Sequence, residues 1–223
     1  MAVKKPAITH RQRQAQATRA AVAGAARRLF ADHGYIATTV EAISDAAEIP
    51  VPTIYSAFGN KPAILEEVRR RWIAETNVER LHRQALLAPD VRRRLRLAAH
   101  WTRRQFELGY DVIAIYQEAA CADPRVAAVW RQVMSFREAA VSELLGSLRG
   151  RLRPGLTVRQ ALDLYVSWTL PEVYRTLVLE RGWSPNRYES WLGELLIREF
   201  LAGRQPRTSF DGAEGSRHGD EHH

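Results

Sequence analysis

Residues 38–61 read Thr38-Thr39-Val40-Glu41-Ala42-Ile43-Ser44-Asp45-Ala46-Ala47-Glu48-Ile49-Pro50-Val51-Pro52-Thr53-Ile54-Tyr55-Ser56-Ala57-Phe58-Gly59-Asn60-Lys61. Thr38 and Glu41 have the spacing of a capping box, in which each side chain satisfies a backbone donor of the other. That opens a short helix carrying Ala42, Ile43, Ala46 and Ala47. Glu48-Ile49-Pro50 breaks it. A second short helix follows from Val51, with Ile54 and Phe58, four apart, on its inner face. Gly59 ends it, and Asn60 caps a further helix that begins at Lys61-Pro62.

Two short helices, about 39–47 and 51–57, joined by a tight turn have the spacing of a helix–turn–helix. There the first helix braces a nucleic-acid backbone while the second enters the major groove. That groove is about 12 Å wide and admits one helix with its side chains. The groove-facing candidates are the non-core positions Val51, Pro52, Thr53, Tyr55, Ser56 and Ala57. Lys61 is a candidate phosphate contact, aided by the free N–H groups of the helix it opens. Thr38 and Thr39 are candidates for the same role at the start of the first helix. None of these groove-facing residues is the Arg or Asn that makes bidentate base contacts. Methyl contacts, phosphate clamping and DNA shape are therefore expected to carry much of any specificity.

Outward from this stretch the pattern stays helical. Upstream, Val22, Ala25, Ala26, Leu29 and Phe30 share one helix face, and Gly34 stands where a C-cap is expected. Downstream, the helix from Lys61 carries Ile64, Leu65, Val68, Trp72 and Ile73 and is expected to reach about Leu86. Val91 to Gly109 and Tyr110 to Ala122 read as two helices. Asp123-Pro124 opens another, to about Leu148. Thr157 and Gln160 form a capping box for a helix to about Arg181, which Pro171 should kink. Ser184-Pro185 opens the last helix, to about Leu201. The expectation is an all-α protein of about nine helices. It divides into a basic flexible arm (1–17), a helix–turn–helix domain (18–64), a larger helical domain (65–204) and a disordered tail (205–223).

The chain has 223 residues and a formal charge of +8, enough for one or two domains with a real core. The basic excess is spread along the chain, so net charge alone argues little for nucleic acid. The local distribution argues more, because residues 1–31 hold seven Lys and Arg and no acid. That block reads either as a solvated leader or as an arm lying along phosphates, with Arg11 and Arg13 in the minor groove. The single Cys121 fits a reducing cytoplasm and reads as a buried structural thiol. No apolar run is long enough for a membrane span. None of the seven His forms a metal-binding pair. No P-loop, GxGxxG or nucleophile elbow occurs, so neither metal, cofactor nor enzymatic activity is expected.

The segments Thr38-Thr39-Val40-Glu41-Ala42-Ile43, Thr53-Ile54-Tyr55-Ser56-Ala57-Phe58 and Asn60-Lys61, with Leu65, resemble the N-terminal domain of TetR-type transcriptional regulators. Arg19, Ala25-Ala26, Leu29-Phe30 and Gly34 extend the resemblance over residues 18–70. It implies a homodimeric all-α repressor that binds a palindromic operator in double-stranded DNA. A small effector held in the C-terminal domain would release it, and the last two long helices would dimerise. It also puts Val51, Pro52, Thr53, Tyr55 and Ser56 at recognition-helix positions and Lys61 at the phosphate-contacting lysine. Glu48 departs from the family's turn glycine, and Pro50 from its common capping Ser.

In the C-terminal part, Trp101, Gln105, Tyr116, Cys121, Trp130, Met134, Tyr165 and Trp168 are the pocket candidates. Aromatics on several helices with a few polar groups between them suit an apolar site with polar anchors, while each residue singly reads better as plain helical core. The effector expected is mostly hydrophobic, aromatic or cationic. Leu164, Glu172 and Arg175 on one helix, and Leu192, Leu195, Leu196 and Glu199 on the next, form apolar stripes with charged rims and are the dimer-interface candidates. The rival readings are a basic architectural DNA-binding protein without an effector, and an enzyme on an all-α scaffold.

Overall fold

The computed structural model describes residues 9–202. The elements are α1 (His10–His33), α2 (Val40–Ala47), α3 (Val51–Phe58), α4 (Lys61–Thr76), α5 (Val78–Leu87), α6 (Val91–Ala122), α7 (Pro124–Gly146), α8 (Val158–Trp168), α9 (Pro171–Tyr174) and α10 (Pro185–Phe200). A π-helical turn, Arg175–Glu180, continues α9. Among the described residues the only β pairing is a single bridge, Leu152 to Leu201. It tucks the α7–α8 connection under the end of α10.

α1, α2, α3 and the start of α4 form a small head around Val22, Phe30, Ile43, Ile54 and Leu65, all buried. α6 is the spine of the larger body, with α10, α5 and α7 packed along it. The two parts share one continuous core.

Four boundaries differ from the sequence expectation, each for a local reason. α1 already begins at His10, because Thr9 and Gln12 form a capping box. Arg11 and Arg13 therefore sit on its first turns rather than on a flexible arm. Residues 1–8 and the tail from 203 onward lie outside the described residues. The helix from Lys61 ends at Thr76, because Asn77 adopts a left-handed conformation (φ 54°, ψ 38°) and α5 restarts at Val78. Asn tolerates that region better than most residues. The expected division at Gly109 is a kink (φ −158°, ψ 27°) inside one long α6. Pro171 breaks its helix outright rather than kinking it: Thr169 and Leu170 interrupt the chain between α8 and α9.

Candidate nucleic-acid interface and internal cavity

α3 presents Pro52, Thr53, Tyr55 and Ser56 to solvent, with Tyr55 48% exposed. Ile54 and Phe58 point inward as expected. Val51 is half-buried against the core, so it offers less to a groove than the spacing predicted. Pro50 supplies no side-chain cap to α3. The helix is held from its other end, where Arg19 donates to Ala57 O at 2.6 Å and lies 4.3 Å from the Phe58 ring centroid. A cation at a helix C-terminus satisfies its orphan carbonyls and its dipole together. Arg19 also pairs with Glu67 on α4, whose 3%-exposed carboxylate takes Arg70 and Arg71 as well. Burial alone would raise the Glu67 pKa, but the hydrogen bonds from Arg70 and Arg19 outweigh it and hold the carboxyl below its usual range.

The turn between α2 and α3 is made without glycine. Glu48 takes the left-handed conformation itself (φ 55°, ψ 39°), and Ser44 Oγ donates to Ile49 O at 2.6 Å to fix the corner. The α2 cap is Thr39, whose hydroxyl oxygen accepts from Ala42 N at 3.1 Å. The predicted Thr38–Glu41 box does not form. Thr38 is buried and donates to Gly34 O at 2.7 Å, so it holds the corner after α1 and is not available to a phosphate. Thr39 is exposed, with its hydroxyl proton still free to donate.

Lys61 is turned inward. Its ammonium donates to Tyr35 O (2.9 Å), Thr38 O (3.0 Å) and Ile36 O (3.4 Å), and burial lowers its pKa despite Glu118 and Asp123. It braces the 35–38 loop that leads into α2. The same loop is gripped from α6, where the Glu118 carboxylate accepts from Tyr35 N at 3.1 Å. Gly34, at φ 83°, makes room for that grip: a Cβ there would stand 2.8 Å from Glu118 Oε1. A second tie joins α1 to α6. Arg27 binds Asp111 through two bonds of 2.6 and 2.7 Å and donates to Leu108 O at 2.7 Å.

All of these ties reach the half of α6 that follows the Gly109 kink, or the residue just before it. The kink itself is filled by Trp72 of α4. A Cβ on residue 109 would stand 1.9 Å from Trp72 Nε1, and that nitrogen donates to Gln105 O at 3.2 Å. Glycine is thus required here by close approach, and the indole N–H serves the carbonyl one helical turn before the kink.

A cavity of about 450 Å³ opens beside this junction, within the range for small-molecule sites. Trp72 and Gln105 form its inner corner, Trp101 and Phe106 continue the α6 wall, and Trp130 and Met134 line the α7 side. Phe136 (67% exposed) and Leu170 (45% exposed) stand at its mouth. Of the predicted pocket residues, Trp101, Gln105, Trp130 and Met134 line it. The other four do not. Tyr116 stacks behind Trp130 with centroids 5.3 Å apart, its hydroxyl 3.2 Å from Glu66. Tyr165 is buried against Thr102, with 2.7 Å between the hydroxyls. Trp168 stacks on Phe200. Cys121 is exposed rather than buried, its thiol donating to Gln117 O.

The family model for bacterial regulatory proteins of the tetR family matches residues 24–68, which span the end of α1 through the start of α4. The resemblance to tetR-family regulators thus rests, in sequence, on this N-terminal domain. The members of that family are bacterial regulatory proteins. The tetR fold extends over the body too. The regulator is similar to the fatty acid degradation regulator FadR from Bacillus halodurans (21% identity, 81% of this chain and 94% of that one, TM-score 0.67). It is similar to NalD, the secondary repressor of the MexAB-OprM multidrug efflux pump in Pseudomonas aeruginosa (22%, 85% and 98%, TM-score 0.67). It is also similar to a transcriptional regulator from Saccharomonospora viridis in complex with choline (16%, 84% and 100%, TM-score 0.68). No curated protein sequence matches it.

Two of the expected interface residues lie elsewhere than expected. Leu192 and Leu196 are fully buried in the subunit's own core, facing α6, and cannot meet a partner. Leu164, Leu195 and Glu199 are partly exposed, and Glu172 and Arg175 are exposed. The sequence reading also missed Arg137, which lines the cavity from α7. It falls at i+7 from Trp130 and i+3 from Met134, one helix face, and an arginine on that apolar face was the available signal. Among the described residues no group of three or more metal-ligating side chains comes together, and no helix is long and apolar enough to cross a membrane.

Proposed function

We propose that the regulator is a cytoplasmic repressor that binds a palindromic operator as a homodimer and is released by a small, mostly hydrophobic effector. The observation that carries this reading is the position of the cavity against the Trp72–Gly109 junction, where the helix entering the head meets the kinked spine of the body. The DNA-binding unit is residues 18–64, with Thr39, Pro52, Thr53, Tyr55 and Ser56 meeting the duplex. Val51 contributes its exposed edge, and Lys61 acts chiefly by fixing the loop before α2.

Dimerisation uses the outer faces of α8 and α10, through Leu164, Leu195 and Glu199, with Glu172 and Arg175 at the rim. The two heads then span half-sites about 34–36 Å apart. The half of α6 beyond Gly109 travels with the head, to which Arg27 and Glu118 tie it. A change of angle at the kink changes head separation. An effector lowers DNA affinity only by as much as it prefers one angle over the other.

The solved structures of similar fold hold ligands as unlike as choline, triclosan and stearoyl-CoA, so the fold does not set the effector's chemistry. Genomic footprinting with and without candidate effectors tests the reading. Protection of one palindrome, relieved by an effector, is expected. Protection of all DNA alike, insensitive to any ligand, would instead mark an effector-independent architectural protein. Tyr55→Ala should weaken operator binding and leave the dimer intact; unchanged affinity would remove α3 from the interface.

A further inference from the structure

Resting on the effector reading above, we propose that the cavity takes an amphipathic carboxylate, its apolar body between the tryptophans and its anionic group on Arg137. The walls account for the body. Trp72, Trp101 and Trp130 give broad apolar faces, and Met134 adapts to irregular shapes.

Arg137 is what the walls do not explain. It is partly buried, it lines the cavity, and its contacts are with neutral groups: one nitrogen, Nη2, donates to Thr169 O (3.2 Å) and Thr169 Oγ1 (2.5 Å). Among the described residues no carboxylate comes within 4.0 Å of its guanidinium. The other arginine on the cavity, Arg69, is different, because it is held in a two-pronged pair by Glu66. A guanidinium withdrawn from water normally has an anion, and its planar fork matches a carboxylate.

The buried groups around Arg137 supply no anion. Arg137 lies close enough to the buried Tyr165 and Tyr188 phenols for its charge to act on both. Tyr188 Oη and Trp101 Nε1 are buried with no hydrogen-bond partner. Both atoms are closed off from the cavity, so among these groups the guanidinium is the one that a ligand could reach. The acids around the cavity, Glu79, Glu138 and Glu172, are all exposed. Water screens them, so they hold a cationic ligand weakly. This decides between the charged alternatives in favour of the anion.

Calorimetric titration of the full-length protein with decanoate, decanol and decyltrimethylammonium tests the inference. All three share one apolar body, so decanol measures the cavity and the ratio of decanoate to decanol measures Arg137. Decanoate is expected to bind about 10- to 100-fold more tightly than decanol, the range for hydrogen bonds to a charged group. In Arg137→Gln that ratio should fall close to one while decanol affinity stays within about twofold. Arg137→Lys should restore part of it. Equal binding of decanoate and decanol by the unmodified protein, or tightest binding of the cation, overturns the carboxylate assignment and leaves the cavity reading standing. If none of the three binds, both readings fail.

Discussion

The Gly109 junction can be tested by adding a single methyl group. In Gly109→Ala the new Cβ would stand 1.9 Å from Trp72 Nε1 and 2.3 Å from its Cδ1. Restoring ordinary contact at about 3.5 Å requires the indole to move by roughly 1.5 Å. Trp72 is 4% exposed and wedged between α4 and α6, so the movement strains packed neighbours, at about 1–3 kcal/mol for this kind of overpacking. It also breaks the Trp72–Gln105 hydrogen bond, about 1 kcal/mol. Alanine's better helix propensity returns at most about 1 kcal/mol. The net loss is about 1–3 kcal/mol, or a melting temperature lower by roughly 3–10 °C for a chain of this size. Calorimetry or circular dichroism reads it directly. Trp72→Phe removes the clashing nitrogen, so the double variant should be less destabilised than the sum of the two singles. A melting temperature that rises in Gly109→Ala, or strict additivity with Trp72→Phe, would refute the packing argument and the hinge built on it.

The Glu67 carboxylate binds fewer protons in the folded chain than in the unfolded one. Its stabilisation is therefore complete above the ordinary carboxylate pKa near 4.3 and fades as acid protonates the folded group. Urea unfolding between pH 7 and pH 3 should show stability falling with pH, and Glu67→Gln, less stable at pH 7, should show a shallower fall. Glu48→Gly relieves a left-handed non-glycine residue at the cost of some unfolded-chain entropy. We expect a gain of about 0.5–1 kcal/mol in thermal or denaturant unfolding, and a loss would mean that Glu48 makes contacts that matter more than its backbone. Thr39→Val deletes the α2 cap. It should cost about 0.5–2 kcal/mol of stability and weaken operator binding beyond what the lost stability explains, as read by titration of labelled DNA well below the melting temperature.

The head was legible because its elements are marked locally. Gly34, Asn60 and the Ile54–Phe58 pair each act within a few residues, and the structure keeps all of them. Errors arose where two local signals competed. Thr38 and Thr39 are both capping residues, and only the tertiary corner after α1, which takes the Thr38 hydroxyl, decides that Thr39 caps α2. Lys61 reads as a phosphate ligand until three loop carbonyls, brought close by α1 and α6, claim its ammonium. The body was harder to read. Tyr116, Tyr165 and Trp168 carry the same apolar signal as Trp101 and Trp130, and only the packing of α4, α8 and α10 separates core aromatics from cavity aromatics. Leu192 and Leu196 failed for the same reason, since an interface stripe and a core stripe have one periodicity. Arg137 had a visible signal, a cation on an apolar helix face, which composition-level reasoning about a basic protein hid.

The proposed reading helix, Val51–Phe58, contains no charged residue. The charges that would draw this protein to phosphates must come from elsewhere on its surface, and phosphate contacts carry no direct sequence information. Ionic strength then works as a common dial. Raising it weakens binding to operator and to random DNA, each in proportion to its phosphate contacts, while uncharged contacts of the kind α3 offers are spared. A cell whose internal salt fluctuates would find the occupancy of this regulator changing, while the contacts that α3 itself makes hold steady.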